Sequence, residues 1–359
     1  MIHSSVSSLQ TGIAPPDALV VQRRFRSLRQ ARRRGLLSVT WLIAGLVLGG
    51  IALTLTVGQS VTAPLDVLRV LWGAEVPGVT FAVRELRLPR AIVGALAGAS
   101  FGLAGAAFQV LLRNPLASPD IIGISAGASA AAVGGIVFLG LGGVWISVFA
   151  VVAALAVAAA IYLLAWRDGV AGGRLILVGI GVAAMLNSFV AYALSQAPSW
   201  SLQEALRWQS GTLNGATLVP GLPLAVALLV FGGVLLVQSR ALAALQMGDD
   251  TAAAIGVAVP RTRLLVVLSA VAVIAVATAV CGPISFVAFL ARPIASRLTR
   301  AGGPLLVLSA LVGALLVVLA DFTGQILLPA RYPVGIVTGV LGAPYLLYLI
   351  VLMHRKGAA

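Results

Sequence analysis

The stretch Arg87-Leu88-Pro89-Arg90 leads into a run from Ala91 to Leu112 without a charged residue, which is followed by Arg113-Asn114-Pro115-Leu116-Ala117-Ser118-Pro119-Asp120. A run of that length is sufficient for a helix to cross a bilayer, which takes about 20 residues. Arginine and proline mark both ends of the run. This pattern predicts a transmembrane helix whose two ends are defined by charged residues.

The composition of the whole chain indicates the same environment. Of its 359 residues, 60% are hydrophobic and 9% are charged, and the mean hydropathy is +1.08. Ordinary soluble domains carry about 25% charged residues, so a soluble fold could not hide this apolar surface. The net charge of +14 is scattered at the ends of apolar runs and forms no single basic stripe. This distribution argues for membrane lipids and against nucleic acid as a partner.

The apolar runs predict an all-α polytopic membrane protein with about ten transmembrane helices. They lie at 36–57, 91–112, 121–141, 144–166, 175–195, 217–238, 264–282, 284–296, 304–328 and 333–353. The run at 284–296 is short and has prolines at or near its ends. We expect a basic cytoplasmic N-terminal tail over 1–35, a transmembrane domain over 36–353 and a cytoplasmic C-terminal tail over 354–359.

Positive charge predicts the orientation of the chain. If the N-terminus is cytoplasmic, every internal loop carries arginine and both termini face the cytoplasm. The arginines left on the outer side, against this bias, are Arg69, Arg84, Arg87, Arg90, Arg207 and Arg331. Guanidinium groups bind carboxylates in bidentate geometry. We therefore interpret Arg87 and Arg90 as a docking site for acidic groups of a partner, with neutralisation by Glu85 as the local alternative.

Several kinds of chemistry are excluded by residues that the chain lacks. The two histidines, His3 and His354, lie in the tails, and Cys281 is the one cysteine, so a single chain cannot assemble a zinc, haem or iron–sulfur site. Any iron must therefore travel inside its own chelator. Lys356 is the one lysine and no G-x-x-x-x-G-K-[ST] motif is present, so the chain cannot bind nucleotide phosphates in the P-loop manner. We expect a non-enzymatic chain with no cofactor of its own.

One acidic residue, Asp321, lies well inside an apolar run. Ion-coupled transporters usually need several acidic groups within the bilayer, so one carboxylate is thin support for that mechanism. We expect Asp321 to face the bundle and to pair with a neighbour such as Gln325 or a backbone group.

The loop at about 243–260 predicts a short cytoplasmic helix. Asp249 or Asp250 suits the N-cap, three alanines and an isoleucine follow, and Gly256 suits the end of the helix. Small side chains on a rigid capped helix suit insertion into the cleft of a partner protein. An interfacial helix on lipid headgroups would instead carry a cationic face with aromatic anchors.

In their order and spacing, these segments resemble the FecCD-type permease subunits of bacterial ABC importers for iron-siderophores and cobalamin. The resemblance covers nearly everything after the N-terminal tail. Its motifs include R-L-P-R at 87–90, R-N-P-L-A-S-P-D at 113–120, I-I-G-I-S-A-G-A at 121–128 and P-V-G-I-V-T-G at 333–339. The motifs P-I-S-F-V-A at 283–288 and S-R-L-T-R at 296–300 look most like permeases for catecholate siderophores such as ferric enterobactin.

The resemblance implies a type II ABC importer permease in the bacterial cytoplasmic (inner) membrane, with roles for particular residues. The family's G-D-x-x-A-x-x-x-G-V pattern, which docks on the ATPase, corresponds to a coupling loop that contains Gly248, Asp249, Asp250, Ala253 and Gly256. Two separate ATPase subunits would hold ATP and magnesium.

On the outer side, the resemblance implies that Arg87 and Arg90 receive acidic residues of a periplasmic or lipid-anchored siderophore-binding protein. The family's Glu-Leu-Pro before the last span is Arg331-Tyr332-Pro333 here, so Arg331 is a further candidate contact. Gly172, Gly173 and Arg174 stand where related permeases carry their inner gate, and the glycine pair suggests a wider or more mobile constriction.

The function predicted is translocation of a ferric siderophore by a pair of permease subunits. We expect the second subunit to be a different paralogue and not an identical copy of this chain. Two alternatives stay open at this point: a permease for cobalamin or haem, and an ion-driven secondary transporter that needs no ATPase.

Overall fold

The computed structural model describes residues 18–119, 123–165, 172–299 and 302–357. Within these residues the chain is helical, and no β-strand is present. The α-helices are α1 Ala18–Thr56, α2 Pro64–Leu71, α3 Leu88–Leu111, α4 Ile124–Leu139, α5 Val144–Ala165, α6 Gly172–Ser195, α7 Ser199–Gln209, α8 Leu218–Val237, α9 Ser239–Leu245, α10 Asp249–Ala254, α11 Val259–Cys281, α12 Val287–Leu298, α13 Leu306–Phe322 and α14 Val334–Gly357. The predicted all-α fold is confirmed.

Each apolar run predicted from the sequence coincides with one of these helices: α1, α3, α4, α5, α6, α8, α11, α12, α13 and α14. Among the described residues, seven helical segments are long and apolar enough to cross a membrane. The helices α4 and α14 contribute shorter apolar segments. The exact number of membrane crossings therefore stays a prediction.

The helix α12 is the shortest of the ten, with 12 residues. At 1.5 Å per residue it extends about 18 Å, which is less than the thickness of the hydrocarbon core. Residues 282–286 before it are not helical, and Phe286 adopts a left-handed backbone with φ of 66°. Non-helical backbone at membrane depth needs shielding by protein, and Gly282 and Ile284 of this segment are buried.

The helix α3 lies at the centre of the bundle and packs most extensively against α13, with further contacts to α11, α12 and α8. Glycines make this packing close. A Cβ atom at Gly98 would overlap the carbonyl oxygen of Gly313 in α13, and one at Gly105 would overlap that of Ala288 in α12. These small residues let the helix backbones approach closely, which matters because lipid offers helices no hydrophobic reason to associate.

Two π-helical turns, Ala82–Arg87 and Thr323–Leu327, extend α3 and α13 at neighbouring ends. The first has an identifiable cause. Pro89 has no N–H group to donate within a continuous helix, and the amide of Leu88 donates to the carbonyl of Val83, five residues earlier. Arg87 is the last residue of this wider turn, and Arg90 follows in the first turn of α3.

The sequence did not predict the short helices α2, α7 and α9, which lie in loops between apolar runs. The helix α1 begins at Ala18 and continues without interruption into the first apolar run. Residues 1–17 of the predicted cytoplasmic tail over 1–35 lie outside the described residues, and that tail stays a prediction. A helix of 39 residues is about 58 Å long, nearly twice the hydrocarbon thickness, so its arginine-rich first part extends beyond the membrane core.

Candidate functional site

At the predicted outer end of α3, Arg90 forms a closed ion pair with Asp321 of α13. The Nε atom of Arg90 donates to Oδ2 of Asp321 at 2.6 Å, and Nη2 donates to Oδ1 at 2.7 Å. The remaining terminal nitrogen, Nη1, donates to Oδ1 of Asn214 at 2.6 Å. The side chains of Arg90 and Asp321 are 18% and 5% exposed. This bidentate geometry is the strongest arrangement available to a guanidinium and a carboxylate.

The partners predicted for Arg90 and Asp321 from the sequence differ from the partners that the structure shows. Asp321 was expected to pair with a neighbour such as Gln325 or a backbone group, but its partner is Arg90, 231 residues away in the chain. The guanidinium of Arg90 was expected to be available to a partner at the rim of the bundle, but it donates hydrogen bonds to Asp321 and Asn214. The reception of a partner's carboxylate by Arg90 stays a prediction.

Arg87 lies in the π-helical turn one helical turn before Arg90 and binds neutral acceptors only. Its Nη1 donates to the carbonyl of Leu55 at 2.9 Å and to Oγ1 of Thr62 at 3.1 Å, and its Nη2 donates to the carbonyl of Ser60 at 2.9 Å. No carboxylate lies in ion-pair range of Arg87 within the described ranges. Its positive charge is therefore held in place without being neutralised. The alternative in which Glu85 neutralises Arg87 is not seen in the described ranges.

The structure brings the three predicted docking arginines together. Arg87, Arg90 and Arg331 line one cavity of about 310 Å³, and Asp321 and Gln325 lie in the same wall. Arg331 is exposed and, like Arg87, has no ion-pair partner in the part of the chain that the structure describes. With Arg90 and Asp321 cancelling each other, two uncompensated positive charges face this cavity.

At the other end of the bundle, the predicted coupling loop contains α10. Gly248 and Gly256 flank it with φ of 117° and 90°, a left-handed range that glycine adopts without strain. The N-cap is Gly248, and Asp249 and Asp250 occupy the first turn, so the prediction that an aspartate forms the N-cap is wrong. The carboxylate of Asp249 is instead turned to two arginines, and Gly256 follows the helix end as predicted.

Asp249 joins the coupling loop to two other helices. Its Oδ1 accepts a hydrogen bond from Nη2 of Arg113, just beyond the end of α3, and its Oδ2 accepts one from Nη2 of Arg263 in α11 at 2.9 Å. The Nε atom of Arg113 also donates to the carbonyl of Leu245 at the end of α9, at 2.7 Å. This cluster was not predicted from the sequence, because its charged residues come from separate segments of the chain.

The coupling loop also carries exposed apolar side chains in and beside α10. Met247 and Ile255 are each 61% exposed, Ala253 is exposed between them in sequence, and Ala252 is fully buried. Asp250 is exposed and has no hydrogen bond or ion pair among the described residues. The loop therefore presents a small apolar surface close to the ion pairs that anchor it to the bundle.

The candidate inner gate is described only in part. Gly172 and Gly173 begin α6 and Arg174 follows them with an exposed side chain. A Cβ atom at Gly173 would meet no atom within 4 Å. The preceding residues 166–171 and the surroundings of Gly172 lie outside the described residues. A role of these three residues in gating stays a prediction.

Known transport proteins are similar to this chain over most of its length. A model of the FecCD transport family matches residues 45–352. The ferric enterobactin transport system permease protein FepG of Escherichia coli (strain K12) is 39% identical over 334 residues, which cover 90% of this chain and 98% of that protein. The achromobactin transport system permease protein CbrC of Dickeya dadantii (strain 3937) is 37% identical and covers 93% and 97%.

A second Escherichia coli (strain K12) protein, the ferric enterobactin transport system permease protein FepD, is 34% identical to this chain and covers 86% of it and 93% of its own length. Among solved structures, an inward-facing conformation of a metal-chelate type ABC transporter superposes with a TM-score of 0.77. That structure is 24% identical and covers 88% of this chain and 99% of its own, so the likeness concerns the fold.

Proposed function

The chain belongs to the FecCD transport family, and on that basis we propose that it is the multi-pass permease subunit of an ATP-binding-cassette importer in the bacterial cytoplasmic membrane. The observation that carries the proposal is the coupling loop, which exposes Met247, Ala253 and Ile255 while Asp249 fixes it by ion pairs to Arg113 beyond α3 and Arg263 of α11. Such a loop suits the cleft of an ATPase subunit. The permease performs no covalent chemistry, and two ATPase subunits supply ATP and magnesium.

The proposed cargo is a ferric siderophore, with the iron carried inside its chelator. Two of the proteins to which the chain is similar are named for ferric enterobactin and one for achromobactin. Their similarity extends over almost the whole length of this chain, which supports a shared type of cargo. Catecholate siderophores are the favoured class because of the motifs at 283–288 and 296–300.

An ion-driven mechanism has less support. The carboxylate best placed within an apolar run, Asp321, is held by two short hydrogen bonds from Arg90. A carboxylate in a bidentate pair with a permanently charged guanidinium is a poor carrier for a proton or a sodium ion. ATP hydrolysis on partner subunits is therefore the proposed energy source.

A second permease subunit completes the proposed pathway. The ferric enterobactin system of Escherichia coli has two permease proteins, FepG and FepD, and this chain is 39% identical to one and 34% identical to the other. This difference supports pairing with a related but different permease. Each subunit would then contribute half of a central cavity.

On the outer side, we assign docking of a siderophore-binding protein to the cavity lined by Arg87, Arg90 and Arg331. Arg87 and Arg331 supply the uncompensated positive charge, and Arg90 holds α3 to α13 beneath them. Carboxylates on the two lobes of a loaded binding protein complement this charge. Release of the siderophore into the cavity between the two permeases follows, with Gly172, Gly173 and Arg174 at the proposed inner gate.

The experiment is purification of the tagged chain from its native membrane with mass spectrometry of the associated proteins, followed by uptake assays in a deletion strain. We expect an ATPase, a second permease and loss of ferric siderophore uptake that the intact gene restores. Uptake of cobalamin or haem as the lost activity would overturn the cargo. Uptake that survives ATP depletion and collapses with an uncoupler would overturn the ABC mechanism.

A further inference from the structure

The carboxylate of Asp249 occupies a position that the family pattern alone does not explain. It accepts hydrogen bonds from Arg113, which follows α3, and from Arg263, which belongs to the second turn of α11. The same Arg113 side chain donates to the carbonyl of Leu245 in α9. One carboxylate thus ties the first turn of α10 to two long helices of the bundle.

Without these ion pairs, α10 has little connection to the core. Its packing contacts are chiefly with the short helix α9 and with α11, and only Ala252 is buried. The direct link to α3 depends on Arg113, because α3 ends at Leu111 and does not pack substantially on α10. A displacement of α10 therefore reaches α3 by two routes, through the packing of α9 on α3 and through the ion pair of Asp249 with Arg113.

The helix α3 is suited to carry such a displacement across the bundle. It is 24 residues long, mostly buried, and packed closely on α13, α12, α11 and α8. Its far end is fixed to α13 through Arg90 and Asp321. A packed helix with charged attachments at both ends moves as one body, because cores rearrange between discrete packings more readily than they deform.

The backbone at Arg113 is a second sign of a constrained site. Arg113 adopts φ of 51°, a left-handed conformation that costs energy for a residue with a Cβ atom. The position follows the end of α3, where glycine is the usual residue. Glycine there would relieve the strain but could not reach Asp249, whose ion pairs are half-exposed and add little to the stability of the fold.

We propose that Asp249 is a positioning residue that transmits the movement of α10 to α3 and α11, and so couples ATP hydrolysis in the motor to opening of the transport pathway. The proposal rests on the function proposed above, in which α10 docks on an ATPase. Asp249 does not itself touch the transported siderophore. Its role is to hold two helices to the element that the motor moves.

The test compares Asp249→Asn with Asp249→Glu in proteoliposomes that contain the whole importer and its binding protein, with ferric enterobactin as the transported probe. The readout is the number of ATP molecules hydrolysed for each siderophore imported. For Asp249→Asn we expect normal co-purification of the ATPase and a rise of about 2- to 30-fold in that ratio, the range over which mutations in coupling networks act. Asp249→Glu keeps the negative charge, so we expect its ratio of ATP hydrolysed to siderophore imported to stay close to the wild-type value.

Two controls separate the link from charge in general. Asp66→Asn removes the exposed ion pair of Asp66 with Arg69 in α2 and leaves the ratio at its wild-type value. Asp250→Asn removes a charge from the same turn of α10 without a contact to Arg113 or Arg263, and its effect is smaller than that of Asp249→Asn. Equal effects at the two aspartates would overturn the proposed link.

Failure of the link is distinguishable from failure of the proposed function. If the wild-type chain binds no ATPase, the proposed function is wrong. If the wild-type importer is assembled and coupled, but Asp249→Asn hydrolyses ATP and imports siderophore in the wild-type ratio, the link alone is wrong. Should Asp249→Asn fail to assemble, Arg113→Gln decides: it removes the ion pair between Asp249 and the end of α3 and leaves the one with Arg263, and a raised ratio supports the link whereas an unchanged ratio refutes it.

Discussion

Removal of Arg90 is expected to be among the most damaging single changes in the outer half of the bundle. Asp321 is 5% exposed, and both of its carboxylate oxygens accept hydrogen bonds from Arg90, at 2.6 and 2.7 Å. In Arg90→Met the carboxylate keeps its burial and loses both donors. Breaking a buried ion pair by removing one partner costs about 3–5 kcal/mol.

The matching prediction concerns the double variant. Replacing both residues, as Arg90→Met with Asp321→Leu, leaves no buried charge without a partner, and such replacements are often neutral or stabilising by about 1–4 kcal/mol. The cost of the double variant should therefore be well below the sum of the two single costs. Residues that share an ion pair are expected to be non-additive by about 0.5–3 kcal/mol, and this pair should lie at the upper end because of its burial.

The assay is equilibrium unfolding in one detergent, with transport measured in parallel. The exposed pair of Asp66 and Arg69 is the matched control, since surface pairs contribute about 0–1 kcal/mol. If Arg90→Met unfolds with the same free energy as Asp66→Asn, or if the single effects of Arg90 and Asp321 add, then the pair does not hold α3 to α13 and the reasoning from burial is wrong.

Three further outcomes are expected. Arg331→Glu should weaken binding of the siderophore-binding protein, more strongly at low than at high ionic strength because exposed charges are then least screened; titration at two salt concentrations measures this, and an affinity that does not change would remove Arg331 from the docking surface. Ala253→Trp should place a large side chain on the exposed face of α10 and reduce ATPase co-purification or coupled uptake without preventing insertion into the membrane, and normal transport would exclude that contact. Gly105→Val should lower the thermal stability by about 1–3 kcal/mol or more, because its side chain would overlap Ala288. Gly181→Ala is the control, since its Cβ atom would meet no atom within 4 Å, and it should leave the stability unchanged. Equal stability of the two variants would contradict the packing argument.

The positions of the helices could be predicted well because the bilayer constrains each segment separately. A segment in hydrocarbon must satisfy its own backbone hydrogen bonds, so an apolar run of sufficient length becomes a helix wherever it packs. Each of the ten predicted runs overlaps one α-helix in the structure. The short helices α2, α7 and α9 lie outside the apolar runs and lack this constraint, and they were missed.

The pairing of charged groups could not be predicted in the same way. The N-cap role assigned to Asp249 or Asp250 follows from local capping preferences, but Asp249 contacts Arg113, 136 residues away in the chain. Local capping preferences do not take into account guanidinium groups that come from distant segments of the chain. The π-helical turn at Ala82–Arg87 was also not predicted, although Pro89 is its sequence signal.

The sequence by itself determined that the chain is helical, that it lies in a membrane, that it has no P-loop to bind nucleotide phosphates, and that its motifs follow the order of one permease family. These properties follow from composition and local spacing, which need no knowledge of distant contacts. Only the tertiary structure decided that Arg90 is bound to Asp321 while Arg87 keeps an unneutralised charge. Both arginines lie in one four-residue motif, and they differ because helix packing brings a carboxylate from 231 residues away to one of them and backbone carbonyls to the other.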